Sequence, residues 1–163
     1  MTEKEVRDAV RAWIASLMGI TVIQSYQGQK EPAEPYGVLN LMLADSVREL
    51  PAAMEITSVG AGENEVFTQT TAHEWFWRFS VNVYGGEGKT LLRQIKTAQF
   101  FASTAETLRP LTLFETSAIR DAAEILNEEW RARAQMDIEI RGIVRDGVTV
   151  DVVDVAPVQI TKA

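Results

Sequence analysis

The chain has 163 residues, 46% of them hydrophobic and 24% charged, a composition that supports one folded domain with a real core over residues 1–163. Its formal net charge of -7 argues against a dominant nucleic-acid-binding surface, because neutralising phosphates takes an excess of Lys and Arg. With no cysteine and one histidine, disulfide frameworks, thiolate metal sites, His-dependent triads and multi-histidine metal sites are excluded, and a reducing compartment suits the chain.

The first residues, Met1-Thr-Glu-Lys-Glu5, lack an apolar signal core, and no apolar run reaches ~18 residues. Neither a signal peptide nor a membrane span is expected. Residues 3–18 read instead as an amphipathic helix. Val6, Ala9, Val10, Trp13, Ile14 and Leu17 recur on a 3.6-residue period as one stripe. Thr2 can cap its start with Glu5 as the capping-box partner, and Gly19 is a plausible stop. The stripe is expected to dock on a sheet. Glu3, Glu5 and Asp8 suit an anionic membrane surface poorly.

Thr21 to Ser25 reads as a short strand, and 27–35 as a loop broken by Gly28, Pro32 and Pro35. The apolar run from Tyr36 to Asp45 reads as an internal strand, with Leu39, Leu41 and Leu43 on one face and a bent continuation through Leu50. In 51–72, residues 53–59 and 65–71 read as Thr-rich hairpin arms around a turn at Gly60-Ala-Gly-Glu-Asn64. They carry few large apolar residues, so a projecting hairpin or a long loop is expected. Such insertions are often binding elements.

The stretch His73-Glu-Trp-Phe-Trp-Arg-Phe-Ser-Val-Asn-Val-Tyr84 alternates strictly. Trp75, Trp77, Phe79, Val81 and Val83 share one face, which must be buried, so this is the central strand. Phe76 and Tyr84 imply partial cover on the other face. Base stacking on these aromatics is the functional alternative, disfavoured by the acidic chain.

Residues 89–105 read as a helix, 111–114 as a short strand or turn, and 117–126 as a short helix capped by Ser117 or Thr116. From Glu129 to Arg145 the pattern alternates again. Trp130, Ala132, Ala134, Met136, Ile138 and Ile140 form an apolar face opposite Arg131, Arg133, Gln135, Asp137, Glu139 and Arg141. Asp146-Gly147 then reads as a hairpin turn, and 148–155 as its return strand. The whole is α+β, an antiparallel sheet with helices packed on one side.

Catalytic chemistry finds little support. Gly85-Gly-Glu-Gly-Lys-Thr90 follows a strand and opens a helix, the setting of a phosphate-binding loop. The position that requires the first glycine is Val83, inside the strand, so the loop is too short. His73 reads as a solvated or capping residue. No carboxylate pair is marked by an apolar pocket, and no EF-hand loop is present. Neither an enzyme nor any cofactor or metal is expected.

The order of these features resembles a family. Pro35-Tyr-Gly-Val-Leu-Asn-Leu41 opens a strand, and Trp77-Arg-Phe-Ser-Val-Asn-Val-Tyr-Gly85 follows after an insertion. A helix comes next, and then Glu129-Trp-Arg-Ala-Arg-Ala134 enters a further strand. This is similar to the tailed-phage neck and tail-terminator proteins, over roughly residues 5–155, with 51–72 the least matched part. The resemblance implies a virion protein assembled in the host cytoplasm. Its subunits would form a homo-oligomeric ring, usually a hexamer, that caps the tail tube protein and joins the head connector. Genomic DNA would pass through the lumen without sequence-specific binding. A head-completion stopper is the neighbouring alternative, and a small nucleotide-binding enzyme using Gly85–Thr90 the one from another class. Net negative charge suits a channel in which phosphate must not stick. A closed ring needs a heterologous interface. The residues assigned to ring or partner contacts are Glu55, Glu63, Glu65 and Phe67 on the arm, and Arg131, Arg133, Asp137, Glu139 and Arg141 on the charged strand face.

Overall fold

The computed structural model describes residues 1–26, 28, 31–60, 65–126 and 129–150. The first helix, α1 (Glu3–Met18), forms as its sequence dictates. Thr2 Oγ1 accepts from the Glu5 amide at 3.3 Å, Glu5 Oε2 accepts from the Thr2 amide at 2.7 Å, and Gly19 ends the helix in the left-handed region at φ 65. Val6, Val10, Trp13, Ile14 and Met18 form its buried stripe. Ala9, expected on that stripe, is exposed at its margin.

Strands β1 (Thr21–Gln24), β2 (Tyr36–Ser46), β3 (Ala53–Val59) and β4 (Val66–Tyr84) follow. Then come α2 (Gly88–Ala98), α3 (Ala102–Leu108), β5 (Thr112–Thr116), β6 (Arg120–Asp121), β7 (Glu124–Leu126), β8 (Glu129–Arg131) and β9 (Arg133–Val150). The main sheet runs β1-β2-β4-β9-β5, with β3 also beside β4 and β6 also beside β9. Only the β1–β2 pair is parallel; the other described pairs are antiparallel. The fold is therefore α+β. β4 and β9 are its spine, paired without a break from Phe67↔Val150 to Tyr84↔Arg133.

The core lies between one face of that spine and the helices. Val6, Val10 and Ile14 of α1 and Leu92 and Ile95 of α2 meet Phe79, Val81, Val83, Met136, Ile138 and Ile140, all at most 1% exposed. Burying such side chains contributes roughly 1.5–3 kcal/mol each, which explains why the strict alternation of β4 sets the layer geometry. Among the described residues no helix is long and apolar enough to cross a membrane.

Several local expectations yield to tertiary pairing. The strand at 36–46 carries a bulge between Leu41 and Leu43. The extra residue turns Leu43 out, opposite Arg78 and 47% exposed, and puts Ala44 opposite Trp77. The strand ends at Ser46 rather than continuing to Leu50. The helix expected over 89–105 is two helices. Phe101 takes an extended backbone (φ -95, ψ 133). The Gln99 side chain donates through Nε2 to the Phe114 carbonyl at 2.8 Å and accepts at Oε1 from Thr116 Oγ1 at 3.2 Å, holding the elbow against β5. The kink turns Thr104 and Leu108 inward.

The helix expected over 117–126 does not form. The Ser117 amide donates to the Asp137 carbonyl at 2.8 Å and Ser117 Oγ accepts from the Asp137 amide at 2.9 Å, so Ser117 stitches the chain to β9 instead of capping a helix. Arg120 and Asp121 then pair with Gln135 and Ala134. The edge of β9 supplies backbone partners to this segment, and a helix this short is marginal by itself.

The hairpin expected at Asp146-Gly147 is also absent. β9 runs straight through it, with Asp146 opposite Thr71 and Gly147 opposite Thr70. Because β4 extends back to Val66, β9 has a partner over its whole length and nothing forces a turn. A Cβ on Gly147 would stand 2.9 Å from Thr70 Oγ1 and 3.1 Å from Thr68 Cγ2, so this glycine serves close strand packing. Residues 151–155 of the expected return strand lie outside the described residues. Ala132 interrupts the alternation between β8 and β9, and Trp130 is 75% exposed rather than on the buried face.

Candidate functional site

Beyond Trp75 on β4 and Gly142 on β9, the spine leaves the helices and becomes a three-stranded ribbon with β3. The expected hairpin arms do pair, from Ala53↔Ala72 to Val59↔Val66. Every residue of β3 is exposed. The register divides the ribbon into two unlike faces. One continues the core face. It carries Met54 and Ile56 of β3, Phe67, Gln69 and Thr71 of β4, and Asp146 and Val148 of β9. Met54, Ile56 and Val148 are 64%, 69% and 65% exposed. The other face carries Thr57, Thr68, Thr149, Glu55, Thr70 and Arg145.

The opposite, polar face of the main sheet is a lattice of ion pairs. Arg78 donates to Glu139 Oε2 at 3.0 Å and Arg141 to Glu139 Oε1 at 2.9 Å. Arg141 also lies 3.7 Å from Glu74, which Arg48 meets at 3.2 Å. Five alternating charges thus form one chain. Arg141 is further held by the Phe114 ring, 3.3 Å from its centroid. Burial raises the pKa of the Glu139 carboxyl, but the hydrogen bonds and charges of Arg78 and Arg141 outweigh this and hold it below the ordinary glutamate value.

A second cluster closes the end of the same face. Tyr36 and Tyr84 stack at 4.9 Å, with the Arg131 guanidinium 4.6 Å from the Tyr84 ring centroid. Arg131 donates to Glu34 at 2.9 Å and to the Tyr36 hydroxyl at 2.9 Å, and pairs with Glu31. Burial, and then the hydrogen bond to Glu31, push the Tyr36 phenol well above its usual value. Arg133 donates to Asn82 at 2.8 Å and Glu124 at 3.0 Å, and Arg120 pairs with Asp137.

The residues assigned from sequence therefore fall into two places. Arg131, Arg133, Asp137, Glu139 and Arg141 share the polar face, each already partnered within the chain. Glu55, Glu65 and Phe67 belong to the ribbon, roughly 27 Å along the strand from Glu139 to Gly147, with Glu55 and Phe67 on opposite faces. Glu63 lies outside the described residues. Met54, Ile56 and Val148 were missed. The two-residue spacing of Met54 and Ile56 was the available signal, masked by the surrounding threonines. Lys89, the cation of the tempting glycine loop, is engaged by Asp121 at 2.5 Å.

The profile of the phage neck terminator protein family matches residues 4–163. The chain belongs to the phage neck terminator family. It is accordingly a structural protein of the phage virion, in the tail and neck. A chain from the virion of a native gene transfer agent particle is similar at 14% identity and a TM-score of 0.31, over 86% of this chain and 92% of its own. No curated protein sequence matches the chain.

Proposed function

We propose that this neck terminator protein is the subunit of a closed ring, usually a hexamer, that caps the tail tube and joins it to the head connector, with genomic DNA passing through the lumen. The observation that carries the reading is the ribbon. A virion protein that leaves Met54, Ile56 and Val148 on an exposed sheet face has built a surface for other subunits. The paired charges of the polar face complement this. Arginines held by carboxylates present little free positive charge, so DNA phosphates find few cations to bind. The 51–72 arm and the charged strand face are the proposed ring and partner contacts, and residues 1–163 act as one domain.

Imaging of the purified chain, alone and mixed with tail tubes, tests this. A ring in solution, or one density at one end of each tube, is expected. Folded chain that neither forms rings nor binds tube ends, yet binds the head connector, would replace this reading with the stopper role.

A further inference from the structure

The apolar face of the ribbon has a counterpart elsewhere on the same chain. At the elbow between α2 and α3, Phe100 and Phe101 are 82% and 54% exposed. Beside them an open groove of about 300 Å³ is lined by Leu17, Arg93, Gln94, Thr97 and Phe101. Among the described residues nothing covers either patch.

The charges at the two patches are complementary. Asp146 stands on the ribbon's apolar face, across from Thr71 and next but one to Val148. Arg93 stands in the groove. Neither has an ion-pair partner among the described residues, whereas their neighbours Lys89 and Lys96 are engaged by Asp121 and by the Ser117 carbonyl. Among the described residues, an apolar strip carrying an unpaired anion is thus matched by a groove carrying an unpaired cation.

We infer that the occupant of the groove is the ribbon of a second copy of this chain, with Met54 and Ile56 seated against Leu17 and Phe101 and Asp146 paired with Arg93. The two patches differ, so the contact is heterologous and propagates from copy to copy, as a closed ring requires. The inference rests on the ring reading and names the surfaces that make it.

The chain lacks cysteine, which permits a direct test. In assembled rings or virion necks, Ile56→Cys combined with Thr97→Cys should give a ladder of disulfide-linked copies on oxidation, and neither single variant should. Rings or necks that assemble as wild type without the ladder would overturn the inference. So would Ile56→Cys joined to a different virion protein. A charge exchange tests the same contact independently. Asp146→Arg and Arg93→Asp should each lower the yield of rings and tailed particles at least tenfold, and the double variant should restore most of it. Silent single variants, or a double variant no better than the worse single one, would overturn the pairing. Wild-type chain that forms no ring, even on tubes, would instead defeat the ring reading itself.

Discussion

The same two strands, β4 and β9, run through two different environments. From Phe76 to Tyr84 and Arg133 to Arg141 they are covered by α1, α2 and α3, and Phe79, Val81, Met136 and Ile140 are fully buried. From Phe67 to Trp75 and Gly142 to Val150 the pairing continues in unbroken register, yet Val148 is 65% exposed on the face that buries Phe79. Backbone pairing is equal in the two halves; helix cover is not. Strand formation therefore does not report stability here. The covered half holds the core, and the ribbon leaves Met54, Ile56 and Val148 exposed.

The strongest way to break this contrast is in the covered half. Phe79→Ala should cost about 3–5 kcal/mol in urea unfolding, the range for deleting a buried aromatic. A loss under about 1 kcal/mol would mean that the helices do not seal this layer.

Glu139→Ala comes next. It removes two charge-assisted hydrogen bonds from a nearly buried carboxylate and should cost about 2 kcal/mol. Its folded pKa is depressed, so its contribution is complete above the ordinary glutamate value of about 4.3 and is lost as pH falls through the folded value. The difference in stability between wild type and Glu139→Gln should therefore be largest at neutral pH and shrink on acidification below about 4.3. A pH-independent difference would mean that the ion-pair chain does not form in solution.

Glycine to alanine on β9 compares the halves directly. At Gly142, on the boundary, a Cβ would stand 2.8 Å from Leu111 Cδ2 and 3.3 Å from the Trp77 ring. Overpacking there should cost about 1–3 kcal/mol. At Gly147 the obstacles are the side chains of Thr70 and Thr68 on an uncovered sheet, which can rotate away, so Gly147→Ala should cost under about 1 kcal/mol. Thermal melts of both variants that ranked them the other way would show the ribbon to be as tightly packed as the core.

The smallest effect on folding is expected for Ile56→Ser with Val148→Thr. Both side chains are exposed, so stability should change by no more than about 0.5 kcal/mol. Joined, tailed particles should nevertheless fall sharply in number. Normal particle yield would remove the ribbon from the assembly surface.

Half of the candidate site was legible beforehand. The alternation over 129–145 put Arg131, Arg133, Asp137, Glu139 and Arg141 on one wet face; the structure has the four from Arg133 to Arg141 on one face of β9, with Glu139 buried rather than wet. What the pattern did not show is that each is answered by a residue far away in sequence, as Glu139 is by Arg78 and Arg131 by Glu34. Charge pairing across strands depends on register, and register is not a local property.

The same division holds for the fold. The sequence by itself determined α1 with its cap and stop, the buried alternation of Trp77 to Val83 and the α+β class, and it marked 53–59 and 65–71 as candidate hairpin arms. In each of these the signal is carried by neighbouring residues, through a helical or strand period or a capping pair. Only the tertiary structure decided that Ser117 to Leu126 is extended, that Asp146-Gly147 is straight, that Leu43 faces out and that the helix breaks at Phe101. Those four outcomes depend on a partner strand that lies outside the segment itself. The backbone bonds and contacts it supplies exceed the weak preferences of a short local segment.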